Sequence, residues 1–138
     1  MSSIACEAGP AILIVEDDGL IRMAAADMMQ DAGFRVHEAA NADEAIAVLE
    51  ARTDIRIIFT DIEMPGAMNG LKLAQTVRRR WPPIKLIVTS GKVPRARADL
   101  PEGGLFFSKP YRPAEISAAM HRLLAARTAP WQSGADVR

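Results

Sequence analysis

The chain has 138 residues, of which 17 are basic and 17 acidic, so its formal net charge at neutral pH is zero. This length favours one domain with a core large enough to fold unaided, and the single cysteine excludes an intrachain disulfide. The charge balance argues against nucleic acid or an anionic membrane surface as a direct partner. Because no apolar stretch could cross a bilayer and residues 1–10 lack a secretion-signal pattern, we expect a cytoplasmic protein.

Short apolar runs alternate with helix-type patterns along most of the chain. We predict strands at residues 11–16, 34–39, 55–61, 84–89 and 104–108, and helices at residues 19–32, 41–51, 70–81 and 113–127. The second run alternates between apolar and polar residues, which is typical of a half-buried strand near a sheet edge. Strands that alternate with helices predict a doubly wound α/β fold around a five-stranded parallel sheet.

The helix patterns also predict caps and buried faces. Asp18 and Asn41 are expected to cap the first two helices, and Gly33 to end the first. The side chains predicted to face the core are Ile21, Ala25 and Met28, then Ala42, Ile46 and Leu49, then Leu73, Val77 and Trp81, and finally Ile116, Met120, Leu123 and Leu124. Between residues 90 and 104 two prolines leave room only for a short or irregular helix.

The composition changes near both ends of the chain. Residues 1–9 are small and polar and are predicted to form a flexible extension, residues 10–127 the folded domain, and residues 128–138 a flexible tail. Trp131 lies in that tail. His37 and His121 have neither metal-ligand spacing nor a neighbouring nucleophile, and we assign them no function.

Polar side chains follow four of the apolar runs at the points where the predicted strands end. Glu16 and Asp17 follow the first run, Asp61 ends the third, Thr89 ends the fourth, and Lys109 follows the fifth. In open parallel sheets a ligand binds outside the carboxyl ends of the strands. Each residue alone is compatible with ordinary turn or capping chemistry, but their coincidence at four strand ends predicts a common site for a phosphoryl group.

Asp61 is the predicted nucleophile of this site, because a carboxylate can carry a phosphoryl group as an acyl phosphate. Clustered carboxylates repel both one another and an incoming phosphate, and Mg²⁺ would relieve both repulsions. We predict Asp17 as a direct Mg²⁺ ligand and Glu16 as a ligand through water. Lys109 would contribute a positive charge, and the Thr89 hydroxyl would donate to a phosphoryl oxygen.

Four motifs carry a family resemblance over about residues 11–127. They are Ile-Val-Glu-Asp-Asp at 14–18, Thr-Asp-Ile-Glu-Met-Pro-Gly at 60–66, Val-Thr-Ser-Gly at 88–91 and Phe-Ser-Lys-Pro-Tyr at 107–111. Each is moderately specific alone, and the four in this order and spacing are highly specific. Together they resemble the receiver domain of bacterial two-component response regulators. That family has the flavodoxin-like strand order 2-1-3-4-5, so the resemblance implies this order here.

The resemblance also implies roles for individual residues. Asp61 would accept a phosphoryl group from a sensor histidine kinase or a phosphotransfer protein, and the backbone carbonyl of Glu63 would join Glu16, Asp17 and Asp61 around Mg²⁺. Thr89 and Phe106 would form a switch pair in which the ring follows the hydroxyl inward. Further implications are a cis peptide bond between Lys109 and Pro110, and control of self-dephosphorylation by Glu63 and Gly91.

The expected function is a stand-alone response regulator and not an enzyme, because little chain follows Lys109 for an effector domain. Its output would then pass to an unknown downstream protein in a phosphorelay, and we expect a monomer or weak dimer. A hydrolase that forms a phosphoaspartate is the competing hypothesis. Such an enzyme is expected to carry its nucleophile on the opening strand with a second Asp two residues later, whereas Asp61 lies on the third strand and is followed by Glu63. A degenerate receiver would lack a site residue, and none is missing.

Overall fold

The computed structural model describes residues 10–64, 69–91 and 104–126. Within these ranges the strands are β1 (Ala11–Val15), β2 (Arg35–Ala39), β3 (Ile55–Asp61), β4 (Lys85–Ser90) and β5 (Leu105–Ser108). The helices are α1 (Gly19–Asp31), α2 (Ala42–Ala51), α3 (Gly70–Arg80) and α4 (Pro113–Ala126). The predicted elements are therefore confirmed, with ends that differ from the predictions by about one residue.

The described strands form one parallel sheet in the order β2-β1-β3-β4-β5. This confirms the doubly wound fold and the strand order that the family resemblance implied. It also places β2 at an edge, where its partly exposed residues fit the alternating pattern. In the central strands every residue of β1 is buried and only Arg56 of β3 is exposed, because helices cover both faces of a parallel sheet.

Side-chain caps fix where the described helices begin. Asp18 accepts hydrogen bonds from the backbone N–H groups of Leu20 and Ile21, at 2.9 and 3.1 Å, and Asn41 accepts one from Glu44 at 2.8 Å. Both predicted caps are confirmed. Asn69 caps α3 in the same way, and Gly33 ends α1 with a φ of +99°, a conformation that favours glycine.

Two apolar clusters form the core, one on each face of the sheet. One cluster centres on Leu13, Ile58 and Val88 under α2 and α3, and the other on Ile12, Phe59 and Ile87 under α1 and α4. The strands contribute alternate residues to the two clusters, as a fully covered sheet requires. The sheet is therefore held from both sides, and its carboxyl edge is a rigid base for the polar side chains that follow it.

The predicted inner face of α1 was wrong in part. Ala25 is buried and Met28 is partly buried, but Ile21 is 43 % exposed, and the remaining buried positions of this helix are Ala26 and Met29. Leu20 and Met23 are also exposed, at 78 % and 55 %. Apolar residues lie on nearly every side of this helix in the sequence, so periodicity could not identify the face that packs against the sheet.

The other predicted inward residues are buried or partly buried. Those fully buried are Ala42, Leu49, Leu73, Val77, Ile116 and Met120, and those partly buried are Ile46, Trp81, Leu123 and Leu124. The predictions for residues 1–9, for most of the 90–104 segment and for the tail fall outside the described residues. Within the described ranges, no helix has the length and apolarity needed to cross a membrane.

Candidate functional site

The carboxylate of Asp61 lies at the end of β3 and is the centre of the site. Asp61 is 5 % exposed, and its Oδ1 is 3.1 Å from the Nζ of Lys109, which follows β5. The same ammonium is 3.8 Å from Oε1 of Glu16, the residue after β1. Three strands that are distant in sequence therefore bring two carboxylates and one ammonium together at the carboxyl edge of the sheet, as the sequence predicted.

Backbone pairing extends the sheet beyond the last residue of β1 and so fixes Glu16. The N–H of Glu16 donates to the carbonyl of Ala39 at 3.1 Å, and Oε2 of Glu16 accepts from the N–H of Asp18 at 3.1 Å. Arg22 of α1 donates to the carbonyl of Glu16 at 2.7 Å and to Oε1 of Glu38 at 3.1 Å. Arg22 therefore ties α1 to the ends of two strands, a contact that the sequence analysis missed.

Burial and charge act in opposite directions on the ionisable groups of the site. Burial raises the pKa of Asp61, and this effect outweighs the lowering by the Lys109 ammonium. Burial likewise raises the pKa of Glu16, and the nearby charge of Asp61 adds to the increase. For Lys109, burial alone would lower the pKa, but its contacts with Asp61 and Glu16 dominate and raise it. The ammonium therefore stays charged between two carboxylates whose negative charge is costly to maintain.

Asp61 Oδ1 remains short of donors despite the ammonium. This atom is buried and accepts no hydrogen bond of regular geometry from the described residues, so the contact with Lys109 is an ion pair without a well-directed hydrogen bond. An oxygen in this state can take a further positively charged or electrophilic partner.

The acidic residues have the composition and spacing of a site for a hard divalent cation. Glu16, Asp17 and Asp61 each offer a carboxylate oxygen, and these oxygens lie within 4.8 Å of one another. Asp17 is exposed whereas Glu16 and Asp61 are buried, so the cluster opens to solvent on one side. Oxygen ligands from two or three carboxylates with remaining positions for water suit Mg²⁺. Together with the donor-poor Oδ1 of Asp61, this set fits the cation that the sequence predicted.

Thr89 lies beside Asp61 in the sheet. The two residues are register partners on β4 and β3, and the N–H of Ile62 donates to the carbonyl of Thr89 at 2.9 Å. Register partners in a parallel pair point to the same face, so the Thr89 hydroxyl and the Asp61 carboxylate share a face of the sheet. Thr89 is 1 % exposed, which makes it a part of the floor of the site.

The side chain of Glu63 links the loop after β3 to the end of β4. Its Oε2 accepts from the Ser90 hydroxyl at 2.5 Å, and its Oε1 accepts from the N–H of Gly91 at 3.2 Å. The family resemblance implied a backbone carbonyl role for Glu63 and control of self-dephosphorylation by Glu63 and Gly91, but it did not indicate this direct contact. It could not be found from spacing, because it depends on how closely the loop approaches β4.

Phe106 is partly buried and packs against the cluster under α2 and α3. The register of β4 and β5 pairs Phe106 with Val88 and pairs Thr89 with Phe107. The two proposed switch residues are therefore diagonal neighbours with side chains on opposite faces of the sheet, and their joint movement remains a prediction. The cis peptide bond between Lys109 and Pro110 is confirmed.

Tyr111 is a site neighbour that sequence reasoning missed. Its ring packs edge-to-face on Phe59 with centroids 5.6 Å apart, and burial raises the pKa of its hydroxyl. Phe59 lies two residues before Asp61 on the same face of β3, so this contact fastens the segment after Lys109 to the strand that carries Asp61. An aromatic residue close after a strand-end lysine was the available signal.

The chain resembles known proteins in both its sequence and its fold. A profile of the response regulator receiver domain matches residues 12–121. The sensor kinase CckA of Brucella abortus is 32 % identical over 117 residues, which cover 82 % of this chain and 12 % of that protein. The chain thus spans a small part of this relative's length.

Solved structures agree with this family. A response regulator receiver protein from Sinorhizobium medicae superposes with a TM-score of 0.81 at 25 % identity, covering 86 % of this chain and 97 % of that one. The response regulator TrrA of Thermotoga maritima, in complex with Mg²⁺ and BeF, superposes with a TM-score of 0.73 at 24 % identity. The match covers 83 % of this chain and 99 % of that one. The second likeness concerns the fold alone.

Proposed function

Because the chain belongs to the response regulator receiver domain family, we propose that Asp61 accepts a phosphoryl group from a histidine kinase or a phosphotransfer protein. Receiver domains of this family are signalling switches and not enzymes in the ordinary sense. The observation that carries the proposal is the 3.1 Å contact between Asp61 Oδ1 and Lys109 Nζ beside the carboxylates of Glu16 and Asp17. A nucleophile, a phosphate-binding cation and oxygen ligands for a metal therefore meet at one edge of the sheet.

In the proposed reaction a carboxylate oxygen of Asp61 forms a bond to phosphorus while the bond from phosphorus to the donor breaks. The leaving group, a histidine nitrogen or the acetate of acetyl phosphate, takes the electron pair. Lys109 binds a phosphoryl oxygen in place of part of its contact with Asp61, and the Thr89 hydroxyl donates to another. Slow hydrolysis of the acyl phosphate would return Asp61 to its free state.

Glu16, Asp17, Asp61 and the backbone carbonyl of Glu63 are the groups that we propose to hold Mg²⁺. The bound cation would offset the negative charge of the carboxylates and of the phosphoryl oxygens. The solved structure of TrrA with Mg²⁺ and BeF, which shares this fold, supports the choice of cation. The donor-poor, buried Oδ1 of Asp61 supports it independently.

Intact-mass spectrometry tests the proposal directly. With acetyl phosphate and Mg²⁺ the protein should gain the mass of one phosphoryl group, and the gain should disappear with a chelator or after hydroxylamine, which cleaves acyl phosphates. Continuous release of phosphate from varied phosphate esters, without a stable mass gain, would favour the phosphoaspartate hydrolase instead. A mass gain that needs no divalent cation would contradict the metal site.

Replacing the ammonium beside Asp61 should impair the site and leave the fold intact. We expect Lys109→Ala to label at least about tenfold more slowly with acetyl phosphate, because a charge-assisted contact to the phosphoryl group is worth about 1.5–3 kcal/mol. The variant should stay folded but unfold at a lower urea concentration, because Asp61 and Glu16, both buried, lose the ammonium that offsets their charge. Lys72→Ala, at an exposed position of α3, is the matched control and should label normally. Equal labelling of both variants would remove Lys109 from the site.

The exposed apolar residues of α1 offer a docking surface for a partner protein. Leu20, Ile21 and Met23 are exposed directly after the acidic segment that carries Glu16 and Asp17. We propose that the phosphoryl donor covers this surface when its histidine reaches Asp61, since exposed apolar groups of this kind mark interaction sites. The phosphorylated domain would likewise pass its signal to a downstream protein through a protein–protein contact.

Leu20→Ser should therefore separate the two classes of phosphoryl donor. Transfer from a phosphorylated phosphotransfer protein should slow by about 5- to 30-fold, because about 1–2 kcal/mol of apolar burial is lost at the interface. Labelling by acetyl phosphate, which is too small to touch α1, should be unchanged. A variant that slows both donors equally would show that Leu20 acts on the site itself and not on docking.

A further inference from the structure

A cavity of about 490 Å³ lies at the amino edge of the sheet, opposite the acidic site. It is open to solvent and lies between the ends of α2 and α3 and the starts of β3 and β4. Its apolar lining consists of Leu49, Ile55, Trp81, Pro83 and Ile84, of which Trp81 and Pro83 are accessible and the other three are buried. The volume falls within the range of small-molecule sites, which are mostly apolar with a few polar groups for orientation. We call it the arginine-rimmed cavity after the three arginines that complete its lining: Arg52, Arg56 and Arg80.

The three arginines differ in how firmly other residues hold them. Arg52 is fixed by Asp54, to which its Nε and its terminal nitrogen each donate at 2.9 Å. Arg56 donates to the backbone carbonyl of Thr53 at 3.1 Å and has no carboxylate partner among the described residues. A guanidinium without a counter-ion at the mouth of an apolar cavity is a ready partner for an anion.

Arg80 is held at the rim in an exchangeable state. Its guanidinium stacks 4.4 Å from the centre of the Trp81 ring and pairs with Glu50 at 2.8 Å. The side chains of Arg80 and Glu50 are 44 % and 54 % exposed, and such surface ion pairs contribute little to stability. A ligand anion could therefore replace Glu50 on Arg80 at small cost, while the indole keeps the guanidinium in place.

We propose that the arginine-rimmed cavity binds a small organic anion. The ligand would have an apolar body the size of one or two rings against Trp81 and Pro83, and an acidic head group that pairs with Arg56 and Arg80. A neutral apolar ligand would leave Arg56 without a counter-ion, and a small inorganic anion would leave the accessible apolar residues of the lining in water. The site is separate from Asp61, so the proposal does not rest on the phosphoacceptor function.

Two matched fluorescent probes test the proposal. The probes are 8-anilinonaphthalene-1-sulfonate and its uncharged analogue N-phenyl-1-naphthylamine, which differ in the acidic head group. The chain has two tryptophans, so Trp131→Phe leaves Trp81 as the sole indole donor for energy transfer. In this background the sulfonate should bind with energy transfer from Trp81, more tightly than the uncharged probe.

Two variants of the rim should change the affinity for the sulfonate probe in opposite directions. Arg56→Gln should weaken sulfonate binding about two- to fivefold, the usual range for loss of one exposed ion pair, and should not affect the uncharged probe. Glu50→Gln should tighten sulfonate binding by a similar factor, because the ligand no longer competes with a carboxylate for Arg80. Arg79→Gln is the control, since Arg79 is exposed on α3 without lining the cavity, and it should change nothing. Urea midpoints of all three variants check that each is folded.

Three results would overturn the proposal. One is sulfonate fluorescence without energy transfer from Trp81, which would place the dye elsewhere, as on the exposed apolar residues of α1. Another is binding that neither Glu50→Gln nor Arg56→Gln alters in a folded protein, which would mean that the rim does not recognise the anion. The third is sulfonate binding that falls as protein concentration rises, which would show that a second copy of the chain covers the cavity.

Discussion

Asp61→Asn is expected to abolish the phosphoryl mass gain completely. Asparagine keeps the size and position of the side chain, but its amide cannot form an acyl phosphate. The replacement also removes one ligand from the Glu16, Asp17 and Asp61 cluster, so Mg²⁺ should bind more weakly. Because burial raises the pKa of Asp61, a neutral isostere removes a charge that the folded state holds at a cost. The urea midpoint of the variant should therefore be unchanged or higher.

This combination of lost labelling and retained stability separates a chemical role from a structural one. Asp27→Asn, at an exposed position of α1, is the matched control and should label like the parent protein. Mass gain in Asp61→Asn would mean that another group accepts the phosphoryl. Peptide mapping would then identify that group, and the proposed role of Asp61 would be wrong.

Gly70→Ala should damage both stability and labelling, although alanine is the better helix former. A β-carbon on Gly70 would lie 1.9 Å from the carbonyl oxygen of Asp61 and 2.9 Å from the Cα of Ile62. Both contacts are with backbone, which cannot turn away as a flexible side chain can. The N–H of Gly70 also donates to the carbonyl of Ile62 at 3.0 Å, so the start of α3 is fastened to this loop. To relieve these two contacts, either α3 or the segment that carries Asp61 must shift.

We expect Gly70→Ala to lower the free energy of unfolding by about 2–4 kcal/mol, at or above the usual cost of overpacking. Labelling by acetyl phosphate should also slow by at least tenfold, because the shift moves Asp61 relative to Lys109. Gly19→Ala is a close control, since Gly19 is likewise the first residue of a capped helix. The nearest atom to a β-carbon on Gly19 would be Nη2 of Arg22, at 3.8 Å. The free energy of unfolding of Gly19→Ala, measured in urea, should be unchanged or slightly higher. Equal stability of the two variants would contradict the contact at Gly70.

The sequence predicted the fold well because the strands here are continuous apolar runs with little competing signal. Ile55–Asp61, for example, was predicted with both ends correct. The convergence of Glu16, Asp61 and Lys109 was also predicted, since the carboxyl ends of parallel strands meet at one edge whatever the loops do. The strand order itself came from family resemblance and not from the pattern of residues.

What the sequence could not predict depends on close approach in three dimensions. The sequence pattern could not show whether Ile21 is exposed or buried, because apolar residues surround α1 on most sides. The contacts of Glu63 with Ser90 and Gly91 join segments 27 and 28 residues apart, and no spacing rule relates them. The close packing of Gly70 on Asp61 is similar, since a glycine after an asparagine cap reads as ordinary turn chemistry.

The two edges of the described sheet differ in charge, although the formal net charge of the chain is zero. Among the described residues, Glu16, Asp17 and Asp61 at the carboxyl edge outnumber the ammonium of Lys109, and Arg52, Arg56 and Arg80 at the opposite edge outnumber the carboxylates of Asp54 and Glu50. A field of this kind turns an approaching molecule before contact, so a donor with a basic face would arrive already oriented toward Asp61. Encounter rates should then fall with ionic strength although the formal net charge is zero, because salt screens separated charges as effectively as a net one.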